Sequence, residues 1–165
     1  MGSRMSNVFL ENPSNIVEKT TTTKRVLGID YGSERIGLSL SDPLGIIAQP
    51  IEALKNNSTT ITSLQQLSHQ EDVVLIVIGM PFNLKGQRAR KAEEVQKFIE
   101  LLKTNIDIEI VSWDERFTTT IAHKTMLTMG TKKKERQNKN GRIDSMAAAI
   151  MLQGYLDSTK QSHSC

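Results

Sequence analysis

The sequence has few of the residues that cross-link, stiffen or anchor a chain. Its only cysteine is the last residue, Cys165, so an intrachain disulfide is excluded and a cysteine-based zinc site is disfavoured. Only 4% of the residues are aromatic, so aliphatic side chains must build the core. The 10 glycines and 4 prolines exclude a collagenous composition. The longest apolar run, residues 73–78, is far shorter than the ~20 residues of a membrane span.

The remaining composition is that of a globular protein. The chain has 165 residues, of which 38% are hydrophobic and 24% charged, and this length suits one domain. We expect residues 25–157 to form that domain, between an N-terminal tail of residues 1–24 and a C-terminal tail of residues 158–165. Residues 1–4 precede a second methionine, Met5, as a cloning remnant would. With no recognisable secretory signal, we expect a cytoplasmic protein that does not associate with membranes.

Positive charge is concentrated in residues 132–142. This segment holds six basic residues and one acid, so it carries +5, while the other residues carry −2 of the overall +3. A local basic patch favours an anionic partner, with nucleic acid first, although a solvated loop would have the same composition. The basic residues are Lys132, Lys133, Lys134, Arg136, Lys139 and Arg142.

Hydrophobic periodicity predicts a mixed sheet with helices on both faces. The predicted strands cover residues 25–31, 35–41, 46–54, 73–78 and 108–113. The predicted helices cover residues 57–69 (with Asn57 or Ser58 as the cap), 87–104, 118–129 and 143–156. The first two strands should form a hairpin. Strands one, four and five should be parallel and central, because helical crossovers connect them.

Carboxylates lie where this topology would bring them together. Asp30 ends the first strand, Asp114 and Glu115 follow the fifth, and Asp144 opens the final predicted helix. The carboxyl ends of parallel strands face one edge of the sheet, so these acids should converge there and repel one another. Mg²⁺ or Mn²⁺ would relieve that repulsion, and two such ions ~4 Å apart can activate a water for phosphodiester hydrolysis.

Each acid also has a structural interpretation. Asp30 could cap the turn that follows it, and Asp114 or Glu115 could cap the helix predicted from residue 118. Asp144 near a helix N-terminus would be stabilised by the helix dipole alone. A carboxylate at the end of an apolar strand such as Asp30 is the hardest of the four to explain by stability.

Four ordered motifs carry a resemblance to a known family. They are VLGIDYGSERIG at residues 26–37, GMPFNLKG at 79–86, WDERFT at 113–118 and IDSMAA at 143–148. Together they resemble the YqgF family, also called RuvX, over about residues 25–157. These bacterial proteins are described as Holliday-junction-resolvase-like and as nucleases that mature the 5′ end of pre-16S rRNA.

The resemblance implies an α/β, ribonuclease-H-like fold with a mixed five-stranded sheet. It also implies a metal-dependent nuclease with Asp30, Glu115 and Asp144 as catalytic metal ligands for Mg²⁺ or Mn²⁺, and Asp114 as a weaker candidate. The loop at residues 79–86 has Lys85 where relatives often have an acid, so that position is more suited to phosphate than to metal. Residues expected to bind nucleic acid are Arg35, Lys85, Arg116, Lys132, Lys133, Lys134, Arg136 and Arg142.

Several functions remain open at this point. The leading one is processing of the 5′ end of pre-16S rRNA in ribosome biogenesis. A Holliday-junction-type DNA resolvase and a non-catalytic RNA-binding assembly factor are the alternatives. The partner would be structured RNA or branched DNA, and the chain a monomer or weak homodimer. Residues 28–33 also resemble a phosphate loop of actin-like ATPases, but one lobe cannot enclose ATP alone. Trp113 would stack on a base or be partly buried at its strand end.

Overall fold

The computed structural model describes residues 24–81, 87–117 and 140–162. Their strands are β1 (Arg25–Asp30), β2 (Arg35–Ser41), β3 (Ala48–Lys55), β4 (Val73–Met80) and β5 (Glu109–Asp114). Their helices are α1 (Thr60–Gln70), α2 (Gln87–Asn105), the 3₁₀ turn Glu115–Phe117 and α3 (Asn140–Ser162). The helix predicted at 118–129, Lys85 and the basic residues Lys132, Lys133, Lys134, Arg136 and Lys139 lie outside these ranges. None of the described helices is long and apolar enough to cross a membrane.

The strands form one mixed sheet in the order β3-β2-β1-β4-β5. β1 and β2 are an antiparallel hairpin, whereas β1, β4 and β5 run parallel, as predicted. The prediction that all three parallel strands are central is wrong for β5. This strand is last in the order of the sheet, and all its residues keep some exposure, because no strand in the described part of the chain pairs with its outer edge.

One face of the sheet packs on α1 and α2. Side chains alternate along each strand, so Leu27 and Ile29 of β1 point to this face. They are fully buried there together with Leu64 of α1 and Val95 of α2. The middle of β4, residues 76–79, is buried from both sides, as a central strand requires, whereas Val74 near its start is exposed.

The other face packs on α3 at short range. β2 presents Gly37, Ser39 and Ser41 to this side, and β1 presents Gly28. A Cβ added to Gly28 would lie 2.8 Å from Leu152 Cβ, and Ser39 Oγ donates a hydrogen bond to the carbonyl of Ala148 at 2.9 Å. The absence of large side chains on this face of β2 therefore brings the backbone of α3 close to the sheet.

Two element boundaries differ from prediction because side chains bind the backbone of the turns. β3 begins at Ala48 rather than at residue 46, since Asp42 Oδ1 accepts the N–H groups of Ile46 and Ile47 at 2.6 and 2.8 Å. α1 has Thr59 as its N-cap residue, one or two positions later than predicted. Asn57 Oδ1 accepts the Thr59 N–H at 2.9 Å and so organises the turn before the helix.

α3 is longer at both ends than the predicted helix of residues 143–156. Its first turn contains Gly141 and Arg142, which are not apolar and so do not extend the hydrophobic periodicity used for the prediction. Its last turn ends at Ser162. Asp144 is consequently the fifth residue of α3 and does not open the helix. The helix dipole acts most strongly within the first turn, and Asp144 lies beyond that turn.

Candidate active site

Asp30 is a mostly buried carboxyl group at the carboxyl end of β1. It lies on the face covered by α3, and no hydrogen bond from a described residue contributes to its pKa. Burial raises the pKa of Asp30 to about 6, Lys91 opposes this rise, and Glu115 and Asp144 add to it. Asp30 therefore does not cap its turn within the described residues; it lies in a negative field shared with two other acids.

Glu115 approaches the same edge from the end of β5. It begins the 3₁₀ turn, and its carboxylate reaches back over the end of β4. A Cβ added to Gly79 would lie 3.5 Å from Glu115 Oε1, an ordinary van der Waals distance, so the carboxylate of Glu115 lies beside the end of β4. The topology predicted from the sequence placed Glu115 and Asp30 at one edge of the sheet. In the structure the parallel pairing of β4 with β5 places the carboxyl ends of these two strands side by side.

Asp144 approaches on the same face of the sheet, from the second turn of α3. Burial raises the pKa of Asp144, while Arg35 and Lys91 lower it. Its backbone carbonyl lies against Gly37 of β2, at a point where a Cβ on Gly37 would overlap it. Gly37 is the register partner of Asp30 in the hairpin, so Asp144 is seated beside Asp30.

Asp114 differs from the other three acids because it is bound to a cation of its own segment. Its Oδ2 forms an ion pair with Arg116 Nη2 at 2.8 Å, and its Oδ1 accepts the backbone N–H of Arg116 at 2.9 Å. These hydrogen bonds hold the pKa of Asp114 below its usual range. Asp114 therefore organises the 3₁₀ turn, and its carboxylate is directed at Arg116.

Positive charge borders the acids. Arg35 begins β2, which is antiparallel to β1, so it lies at the edge where β1 ends and acts on Asp144. Arg142 is exposed in the first turn of α3, one turn before Ser145. The other predicted nucleic-acid residues, Lys85, Lys132, Lys133, Lys134 and Arg136, lie outside the described residues.

Lys91 belongs to this edge and is absent from the sequence-based prediction. It lies near the start of α2, is half-buried, and lowers the pKa of both Asp30 and Asp144. One signal could have found it. A helix that follows a parallel strand starts at the strand's carboxyl edge, so the first turns of α2 had to lie near the acids.

Trp113 is partly buried at its strand end, one of the two predicted possibilities. Its ring contacts Tyr155 of α3 in an edge-to-face arrangement, with the ring centroids 5.6 Å apart. It also covers Gly154, where an added Cβ would lie 3.7 Å from Trp113 Nε1. Trp113 thus anchors β5 to α3 behind the acids.

The donor set fits a hard divalent cation by its chemistry. Asp30, Glu115 and Asp144 offer only carboxylate oxygens, which Mg²⁺ and Mn²⁺ prefer, and their mutual repulsion is the kind a cation relieves. In the conformation described for residues 24–81, 87–117 and 140–162, no three His, Cys, Asp or Glu side chains are already gathered as a metal-binding group.

The fold is shared with solved structures of very different sequence. A structure of Thermus thermophilus RuvC matches with a TM-score of 0.52 at 13% identity, covering 82% of this chain and 97% of that one. A second, the T. thermophilus RuvC in complex with a Holliday junction substrate, matches with a TM-score of 0.50 at 15% identity, over 82% and 96%. The α/β, ribonuclease-H-like prediction is confirmed.

Relatives of known sequence are much more similar. A protein of Ruminiclostridium cellulolyticum named "Putative pre-16S rRNA nuclease" is 40% identical over 136 residues, covering 81% of this chain and 94% of the relative. Proteins of the same name from Sulfurihydrogenibium sp. and Acetivibrio thermocellus are 44% and 43% identical, over 81% of this chain and 90% and 96% of theirs. The family model described as "RuvX: Holliday junction resolvase" matches residues 24–158. The chain belongs to the RuvX family.

Proposed function

We propose that this protein is a nuclease that uses divalent metal ions to hydrolyse a phosphodiester bond at the 5′ end of pre-16S rRNA. The observation that carries the proposal is the buried Asp30 carboxyl, which faces Glu115 and Asp144 at the carboxyl edge of the sheet. Burying a carboxyl group among like charges costs stability, so a fold that retains it there indicates a functional role. The shared name of the relatives supports pre-16S rRNA as the substrate.

Asp30, Glu115 and Asp144 would hold Mg²⁺ or Mn²⁺. Such ions activate a water molecule and neutralise charge on the phosphate that is attacked. The rigid strand end fixes Asp30, while Glu115 and Asp144 approach from β5 and α3. Lys91 offsets part of the negative charge of Asp30 and Asp144, and so lowers the electrostatic cost of keeping the acids together.

The cations around the acids would bind the phosphate backbone. Arg116, oriented by Asp114, lies directly after Glu115, Arg35 acts on Asp144, and Arg142 is exposed in the first turn of α3. We propose that Lys85 and the basic residues of the segment at 132–142 extend this contact. Arginine and lysine bind phosphate without reading sequence, so the substrate's fold and its end would decide where the chain is cut.

A Holliday-junction-type resolvase is the second candidate, favoured by the description of the family model. Cutting a junction symmetrically requires two active sites in a two-fold dimer, whereas trimming one RNA end requires a single site. A non-catalytic RNA-binding role in ribosome assembly is the third, because the carboxylates are not yet gathered around an ion position among the described residues. For each role we place the protein in the cytoplasm.

A cleavage panel tests the proposal. Wild type, Asp30→Asn and Asp107→Asn would be incubated with pre-16S rRNA, unrelated single-stranded RNA and a four-way DNA junction, with Mg²⁺, with Mn²⁺ and with EDTA. Asp107 is the matched control because it is exposed before β5, at the opposite edge of the sheet. We expect metal-dependent cleavage of pre-16S rRNA by wild type and Asp107→Asn, and none by Asp30→Asn.

The other outcomes separate the alternatives. Cleavage of the junction in preference to RNA would assign the chain to the resolvases. Salt-sensitive RNA binding by all three proteins, with no cleavage under either metal, would replace the nuclease with an RNA-binding assembly factor. Equal cleavage by wild type and Asp30→Asn would remove Asp30 from the active site.

A further inference from the structure

We propose that Gly37 is a positioning residue, which, with Ser145, fixes Asp144 beside Asp30 and thereby sets the affinity of the site for divalent cations. This inference rests on the proposed function. It assigns a task to a residue with no side chain, located on a strand that contributes none of the three acids.

Gly37 lies between the two acids. In the β1–β2 hairpin it is the direct register partner of Asp30, and directly opposed residues lie about 5 Å apart. On the α3 face of β2, the space that its Cβ would fill holds the carbonyl carbon and oxygen of Asp144, and the nitrogen of Ser145 lies 3.0 Å from that position. The missing side chain beside Asp30 is thus replaced by the backbone of Asp144.

The contact is made by backbone on both sides, so it cannot yield as a flexible side chain would. Adding one methyl group at residue 37 would force the second turn of α3 away from β2, or move β2 away from α3. Either shift separates Asp144 from Asp30. A misplacement of about 1 Å at a catalytic group is enough to change its function by orders of magnitude.

Ser145 of α3 fixes the same contact between α3 and β2 by a hydrogen bond. It is buried, and its Oγ accepts the backbone N–H of Leu38 at 3.4 Å. The register of β2 against β3 shifts between Ile36 and Leu38, which is where Gly37 lies. The irregularity in the sheet and the hydrogen bond to α3 coincide, so the strand and the helix are tied together next to Asp144.

The same interface continues away from the acids and supplies matched controls. Gly28 also lies under α3, where an added Cβ would lie 2.8 Å from Leu152 Cβ, and Ser39 Oγ bonds the Ala148 carbonyl. Ala148 and Leu152 are four and eight residues beyond Asp144, about 6 and 12 Å along the helix axis. Changes there disturb the packing of α3 without acting directly on Asp144.

The experiment measures binding of Mn²⁺ alone to the full chain by calorimetry, with thermal unfolding recorded for every variant. The primary pair is Gly37→Ala and Gly28→Ala, and the milder pair is Ser145→Ala and Ser39→Ala. We expect Gly37→Ala to weaken Mn²⁺ binding by about tenfold or more, and Ser145→Ala by a few-fold. Gly28→Ala and Ser39→Ala should bind within about twofold of wild type even where they lose as much thermal stability.

The outcomes distinguish this inference from the proposed function. If wild type binds Mn²⁺ in an Asp30-dependent manner and Gly37→Ala binds it equally well, the positioning role is refuted and the nuclease proposal survives. The positioning role is also refuted if weakened binding follows lost stability in all four variants. If the glycine variants do not fold, the Mn²⁺ affinities of Ser145→Ala and Ser39→Ala are compared instead, and equal affinities refute the positioning role. A wild type that binds no Mn²⁺ overturns the metal-dependent function and this inference together.

Discussion

Asp114 binds Arg116 through both of its carboxylate oxygens. Oδ1 accepts the backbone N–H of Arg116 at 2.9 Å, and Oδ2 accepts the guanidinium Nε and Nη2 at 2.9 and 2.8 Å. The next residue in the chain, Glu115, directs its carboxylate to Gly79 instead. Two adjacent acids therefore have different tasks, one orienting an arginine and the other facing Asp30.

Neutralising each acid should separate these tasks. We expect Glu115→Gln to abolish or strongly weaken Mn²⁺ binding, because a carboxylate ligand is lost, whereas Asp114→Asn should retain it within about threefold. Calorimetric titration of both variants with Mn²⁺ measures the difference. Loss of binding in Asp114→Asn with retention in Glu115→Gln would exchange the two assignments.

Arg116 should contribute to RNA affinity through charge alone. Arg116→Ala is expected to weaken RNA binding in a sequence-independent way and to reduce the slope of log K against log salt by about one. The control is Arg25→Ala, because Arg25 pairs with Glu71 at 3.2 Å at the start of β1, the opposite edge of the sheet. Equal salt slopes for the two variants would contradict a phosphate contact at Arg116.

Asp30 should make stability fall as the pH rises. The pKa of the Asp30 carboxyl is 3.8 as the reference value and about 6 in the folded chain. Between these two pH values the folded state binds more protons than the unfolded state, so the free energy of unfolding decreases as the pH rises. Above both values the cost is about 3 kcal/mol at most. In EDTA near pH 7, Asp30→Asn should therefore be more stable than wild type by about 2–3 kcal/mol.

Urea unfolding followed by the fluorescence of Trp113, the only tryptophan, measures this effect. The two proteins should converge in stability only below the reference value, at about pH 3 or lower, where Asp30 is protonated in both the folded and the unfolded state. A stability difference independent of pH would show that the gain has another cause.

Lys91 should compete with a bound cation. Its positive charge acts on both Asp30 and Asp144, so Lys91→Gln removes a repulsion felt by Mn²⁺ and should tighten Mn²⁺ binding by about threefold or more. Without divalent ions the same variant should be less stable at pH 8, since the acids lose their counter-charge. Lys97→Gln, an exposed change farther along α2, is the control. Weaker Mn²⁺ binding by Lys91→Gln would assign Lys91 a supporting role.

The sequence was sufficient for the parts of the fold that periodicity encodes. The hairpin of β1 and β2, the buried β4 and the edge on which Asp30 and Glu115 converge all follow from alternation, apolar runs and parallel crossovers. Asp144 was expected at the same edge because it opens the last predicted helix, and the resemblance selected it, with Asp30 and Glu115, as a metal ligand. Its role as a metal ligand, like those of Asp30 and Glu115, stays a prediction that the binding experiments address.

Other features depend on contacts that leave no pattern in a sequence. The turn before β3 is set by Asp42 accepting backbone N–H groups, and α3 starts before its apolar period begins. Lys91 is one of several lysines, and only the placement of α2 relative to β1 distinguishes it. The close approach at Gly37 involves residues 107 positions apart, so it becomes visible only when the sheet and α3 are assembled.

Pro50 gives the outer strand a protective property. Among the strands that the structure describes, β3 borders the sheet, and a border strand offers its unpaired N–H and C=O groups to strands of other molecules. Pro50, opposite Ser39 in the register, has no N–H to donate and cannot serve as a template at that position. Pro50 therefore opposes edge-to-edge aggregation through β3.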